Sequence, residues 1–273
     1  MTMDAEAVKN KKEEIIKKFG PWTGHNIQLP GDIYTIDRRI IGDEIKLKRN
    51  IQIISDVMRK PLADLRVLDL ACLEGLYSLE LARQGAKVVG IEGREANLEK
   101  ARFAREAFAL DNLEFFLDDV RNLSQERYGS FDVVLCLGIL YHLDAPDVFH
   151  FIEKISQVCK GIAIIDTHIS LSARKSHLFK GKKYQGKTFR EHSPWSSPEK
   201  RKKALWASLD NVRSFWPTRA SLIDLLTEVG FTSVYDCLYP PDAKEPRDRV
   251  TLLAIKGKGH DLFCAPQMKG WKK

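Results

Sequence analysis

The sequence predicts an α/β fold built on a doubly wound, mostly parallel sheet of seven strands that ends in an antiparallel hairpin. Between Arg66 and His168 short apolar runs alternate with stretches whose apolar residues recur at helical spacing, the pattern of successive βαβ units. Beyond residue 216 the pattern closes with a helix and two strand-like runs joined by a short connection rich in proline and charge. A connection that short makes the final pair antiparallel. The 273 residues, 44% hydrophobic and 30% charged, suit a globular chain able to bury a large core. No apolar run approaches the roughly 18 residues of a membrane span.

Residues 1–60 read as an N-terminal helical extension or cap. Its opening, MTMDAEAVKNKKEEIIKKFG, is a charged amphipathic helix pattern without the apolar segment and cleavage site of a secretory signal, which points to a cytoplasmic protein. The five parallel strands are RVLDLA (66–71), AKVVGIE (86–92), LEFFL (113–117), FDVVLCLG (131–138) and GIAIIDTH (161–168). The crossover helices are LYSLELARQG, REANLEKARFAREAF and DAPDVFHFIEKISQVCK, with Gly85, Asn112 and Gly161 near their ends. A polar, basic and aromatic insertion follows at about 169–214, including a helix-like EKRKKALWASLDNV, and reads as a lid. The helix TRASLIDLLTEVG and strands near TSVYDCLYP and in RVTLLAIKG complete a domain over 61–258. Residues 259–273 form a tail.

A net charge of +7 and a pI of about 9.1 favour an anionic counterpart such as RNA, a phosphorylated metabolite or a carboxylate. The basic segments KNKKEEIIKK and PEKRKK read as solvated helix faces. The five cysteines lack C-x-x-C spacing, which argues against a disulfide framework or a zinc site, and no metal is expected.

The strongest functional signal is Val67-Leu68-Asp69-Leu70-Ala71-Cys72-Leu73-Glu74-Gly75, a strand running into a turn of small residues and then a helix. Open α/β sheets bind nucleotides at such a turn. The second strand ends in Glu92-Gly93, placing a carboxylate where it can accept hydrogen bonds from both hydroxyls of a ribose. These residues resemble the class I S-adenosylmethionine-dependent methyltransferases over most of 60–168 and 216–257, which implies a Rossmann-like fold and S-adenosyl-L-methionine as cofactor. The resemblance places Asp69, Ala71 and Gly75 at the methionine end, with Cys72 in the same loop, and Glu92 at the ribose beside Gly93. Asp119 and Val120 would meet the adenine, and the backbone of Leu137 and Gly138 would flank the methyl. Where the family usually has glycines this chain has Ala71 and Leu73, a bulkier loop less suited to positive φ. A nicotinamide dehydrogenase would need G-x-G-x-x-G, which is absent.

After the fourth strand comes Gly138-Ile139-Leu140-Tyr141-His142. This stretch is similar to the tRNA wobble-uridine carboxymethyltransferase branch of the family, as are Phe215-Trp216-Pro217-Thr218 and Val229-Gly230-Phe231. Imidazole ordinarily titrates near neutrality, so His142 is a candidate base, and Tyr141 shapes the pocket or hydrogen-bonds the cofactor. Each has an equally simple structural role, as a helix cap or as packing. Asp166 and His168 share one face of the fifth strand and form a second candidate pair, the carboxylate orienting the imidazole. Gly20-Pro21-Trp22-Thr23-Gly24-His25-Asn26-Ile27 either joins the cover of the site or staples the first helix. The expected activity is methyl transfer to a nucleophile on a small-molecule acceptor of anionic or aromatic character. A tRNA acceptor with an ordinary or carboxylated donor, and a non-catalytic cofactor-binding subunit, are the alternatives. Acceptor atom and oligomeric state stay open.

Overall fold

The computed structural model of the chain describes residues 2–38, 44–238, 247–261 and 263–264. The chain opens with α1 (Ala5–Phe19), a two-residue ladder of β1 (Gln28–Leu29) and β2 (Ile33–Tyr34), and α2 (Glu44–Met58). The alternating region gives β3 (Arg66–Leu70), α3 (Leu76–Arg83), β4 (Lys87–Glu92), α4 (Glu95–Phe108), β5 (Leu113–Leu117), α5 (Gln125–Tyr128), β6 (Phe131–Leu137), α6 (Asp147–Val158) and β7 (Cys159–His168). Then come β8 (Lys175–Phe179), β9 (Lys182–Arg190), α7 (Pro198–Lys203), β10 (Arg213–Pro217), α8 (Arg219–Glu228), β11 (Ser233–Asp236) and β12 (Arg249–Ile255).

The main sheet has the order β11-β12-β7-β6-β3-β4-β5. Strands β3 to β7 are parallel, while β12 runs antiparallel to both β7 and β11. Chain order reverses at β3, with β4 and β5 on one side and β6 and β7 on the other, so the crevice opens at the carboxyl ends of β3 and β6. Strand residues alternate between two cores. Val67, Val133 and Ile164 pack with α1 to α4, and Leu68, Val134 and Ile165 pack with α6 and α8.

The insertion departs from expectation. It carries its own antiparallel sheet, ordered β10-β9-β8, and the helix-like stretch is helical only in α7. Residues 204–212 run as turns because their small polar side chains bond to backbone. Ser208 Oγ donates to the Asn211 carbonyl at 2.5 Å, and Asn211 Nδ2 donates to the His142 carbonyl at 2.9 Å. The strand expected near 232–240 is β11, and residues 239–240 lie outside the described residues, as does most of the expected tail. Among the described residues no helix is long and apolar enough to cross a membrane.

Candidate active site

The turn after β3 is held in an unfavourable conformation. Ala71 and Leu73 have φ of +55° and +51°, and Gly75 has +88°. Each non-glycine residue in that region costs about 1–2 kcal/mol. The surroundings hold the turn: the Cys72 amide donates to the Ile91 carbonyl at 3.0 Å, and the Leu73 amide to Glu92 Oε2 at 3.0 Å. Gly75 has no substitute, because a Cβ there would sit 2.9 Å from that of Ala101.

Among the described residues three buried carboxylates, Asp69, Glu92 and Asp166, line the resulting cleft. Asp69, 3% exposed, accepts the Ser78 hydroxyl at 2.6 Å. Burial pushes its carboxyl up to about 7, Ser78 opposing and the charge of Glu92 assisting. Glu92, 4% exposed, accepts the amides of Leu73 and Arg94, and burial raises its carboxyl as well. Asp119 caps a short turn by accepting the Arg121 amide at 2.8 Å, and both its oxygens are held by the Arg121 guanidinium. The carboxylate expected at an adenine amino group is thus shared with a cation.

The cleft, about 430 Å³, brings Asp69, Ala71, Cys72, Glu92 and Gly93 together with Asp119, Val120, Leu137 and Gly138, and beyond them Tyr141 and His142. Gly75 and His168 do not line it. Among the described residues no group of three or more His, Cys, Asp or Glu is placed to hold a metal ion.

At the far rim His142 Nδ1 lies 2.9 Å from Glu191 Oε2. The Glu191 side chain, 2% exposed, also accepts the Ser208 amide at 3.0 Å and the Ser214 hydroxyl at 2.7 Å. Burial pushes its carboxyl up, but these hydrogen bonds, led by that of His142, outweigh burial and hold it below the usual range. Burial raises the Tyr141 hydroxyl, with Arg249 opposing.

The expected pairing of Asp166 with His168 does not form. Because β12 runs antiparallel beside β7, Thr251 and Arg249 reach the Asp166 carboxylate, each at 2.7 Å. His168 bonds Asp248 at 3.0 Å instead and stacks on Trp216, ring centroids 4.8 Å apart.

The segment 20–27 is both staple and cover. Trp22 packs on Phe103, while Gly24 and His25 line the cleft. Glu74, fully buried, clasps this segment by accepting the amides of Thr23, Gly24 and His25, and it pairs with buried Lys100 at 3.1 Å. His25 Nδ1 accepts the Leu76 amide at the start of α3. Sequence reasoning missed the roles of Glu74, Lys100, Arg94 and Glu191. Their partners lie many residues away, and nothing local marks Lys100 as one of the buried positions of its crossover helix.

A family model described as a methyltransferase domain matches residues 67–161. The ubiquinone biosynthesis O-methyltransferase of Acinetobacter baylyi (strain ATCC 33305 / BD413 / ADP1) is 33% identical over 122 residues, 43% of this chain and 49% of that protein. The chain therefore spans about half the length of the curated relatives it matches. The N-terminal domain of EvdMO1, solved in the presence of S-adenosylhomocysteine and D-fucose, matches with a TM-score of 0.70 and 25% identity, over 93% of this chain and 97% of that one. Magnesium protoporphyrin IX methyltransferase from Synechocystis PCC 6803, solved with S-adenosylmethionine, shares the fold at TM-score 0.51 and 18% identity, over 78% of this chain and 81% of that one.

Residues 67–161 are a methyltransferase domain, and the fold around them is that of the class I S-adenosylmethionine-dependent methyltransferases. The residues of the cleft fit S-adenosylmethionine. The buried carboxylate near the end of β3, pushed up to about 7, suits the approach of a cation, and the one at the end of β4 can accept from a pair of hydroxyls.

Proposed function

We propose that the protein methylates a hydroxyl oxygen of a small, neutral, polyhydroxylated or phenolic acceptor, with His142 as general base. The observation that carries this reading is the His142–Glu191 pair, whose imidazole lines the cleft together with Leu137 and Gly138 while the carboxylate holds it from behind. Glu191 occupies Nδ1, which leaves Nε2 to take a proton. The likeness to an O-methyltransferase, and to a domain crystallised with a sugar, supports a hydroxyl acceptor.

In this reading Glu92 holds the ribose, Asp69 faces the charged methionine end, and Asp119 with the Val120 backbone borders the adenine. Bound there, S-adenosylmethionine would supply an electrophilic methyl group whose leaving group is a neutral thioether. His142 takes the acceptor's hydroxyl proton, Tyr141 shapes the acceptor end, and residues 20–27 with 204–211 exclude water. Residues 1–60 act as the cap, 61–258 as the catalytic domain and 169–214 as its lid.

One observation favours the tRNA acceptor. Helix α7 carries Lys200, Arg201, Lys202 and Lys203 close to Trp195, which is 94% exposed, and basic surfaces with exposed aromatic rings bind nucleic acid. Incubation with methyl-labelled cofactor and either glycosides and phenols or total tRNA separates the two, and label in tRNA alone overturns the small-molecule reading. His142→Gln is expected to lower kcat by about 10²–10⁴-fold, the worth of a positioned base. Calorimetry should show unchanged affinity for S-adenosylhomocysteine.

A further inference from the structure

We propose that Arg94 is a positioning residue that ties the cofactor end of the cleft to the His142 base through segment 204–211. The inference rests on the reading of His142 as base. Arg94 follows the ribose carboxylate by two residues, and its amide donates to Glu92 Oε1 at 2.9 Å. Its guanidinium reaches the lid, where Nε donates to the Lys202 carbonyl at 3.2 Å. Nη2 lies 2.9, 2.7 and 3.3 Å from the carbonyls of Ala204, Ala207 and Ser208. Lys202 and Ala204 stand at the end of α7 and Ala207 and Ser208 in the turns beyond it, so one guanidinium gathers carbonyls of both.

The segment gathered in this way reaches the base directly. The Ser208 amide donates to Glu191 Oε2, the same oxygen that holds His142 Nδ1. Asn211 Nδ2 then donates to the His142 carbonyl. The segment also lies hard against the ribose loop, since a Cβ on Gly93 would come within 2.5 Å of Leu209 Cδ1. One hydrogen-bonded route therefore runs from Glu92 through Arg94 and Ser208 to Glu191 and His142. A ligand held by Glu92 steadies the loop that carries Arg94, which draws segment 204–211 closed and sets the Glu191 carboxylate against the imidazole.

The test uses the full chain and its Arg94→Gln and Arg94→Lys variants. In the parent protein, S-adenosylhomocysteine is expected to slow amide exchange across 204–211 by about tenfold or more, the mark of a locally closed segment. Arg94→Gln should abolish that slowing while the ligand's Kd moves less than about threefold. At saturating cofactor and acceptor its kcat should fall about 10- to 100-fold, as expected when a reacting group is misplaced by about 1 Å. Arg94→Lys, which keeps the charge, should recover part of both effects and serves where the Gln variant does not fold. Combined with Glu191→Gln, the loss in kcat should be far less than the product of the two, because both act on one base. Unchanged exchange in Arg94→Gln, multiplicative losses, or a kcat defect explained by weaker cofactor binding would each overturn the proposal. The exchange measurement needs no acceptor, so it judges the latch even where His142→Gln leaves kcat intact and removes the base assignment.

Discussion

Asp69, next to last in β3, has its carboxyl buried and pushed up to about 7, far from the unfolded-chain value near 4. Between those two pH values the folded protein holds the proton and the unfolded chain does not. This group's contribution to stability is therefore fully present below about pH 4 and lost as pH rises through 7. Cofactor binding works in the opposite direction. A cation in the cleft favours the ionised carboxylate, so binding below pH 7 expels a proton, and affinity should climb from about pH 5 to 7 and then level off. Calorimetry in buffers of different ionisation enthalpy measures the released proton, and Asp69→Asn should flatten the profile. Affinity that falls with rising pH would refute the role. In the same loop, Ala71→Gly should raise stability by up to about 1 kcal/mol, positive-φ strain relieved less the entropy of glycine. A lowered midpoint in urea would show that the Ala71 methyl contributes more by packing than it costs in strain.

Local pattern carried the strands, the crossover helices and the two carboxylates at strand ends, because strand-turn-helix segments and the residues at their tips are encoded within about ten positions. What joins the elements was hidden. Glu74 stood in plain view inside the loop motif, yet its three amide donors lie about fifty residues earlier and Lys100 a full βα unit later. Asp166 and His168 were read as a pair from their shared strand face, but the partners of both come from the segment 248–251 on and beside β12, eighty or more residues on. The Glu74 clasp predicts a large effect for a small change. Glu74→Gln leaves the buried Lys100 ammonium uncompensated and should cost about 3–5 kcal/mol, whereas Glu74→Gln with Lys100→Met should cost clearly less. Urea titration of the three proteins decides, and equal losses in single and double variants would mean that the ion pair contributes only through shape. Because Gly24 and His25 line the cleft, the single variant should also bind S-adenosylhomocysteine more weakly.

The topology that reverses at β3 concentrates every binding element at one rim, and charge is distributed unevenly between that rim and the outer surface. The cleft wall balances Asp69, Glu92, Asp119, Asp166 and Asp210 against Lys46, Arg94, Arg121 and Arg249. The net +7 of the chain is therefore not concentrated there. Much of it stands outside, on α7 and along α1, where Lys9, Lys17 and Lys18 are exposed. A neutral acceptor that sits within the cleft releases no counterions from that exterior on binding. An RNA acceptor would lie on it and release counterions on binding. The acceptor KM therefore separates the two classes without knowledge of the product. For a neutral hydroxylated molecule it should change by less than about twofold between 50 and 200 mM salt, whereas an acceptor engaging six or more phosphates would lose on the order of 10³-fold in affinity. A steep salt dependence would move the functional surface from the cleft to α7 and Trp195, and alanine substitutions at Lys200, Lys202 and Lys203 would then flatten the slope while leaving S-adenosylhomocysteine affinity untouched.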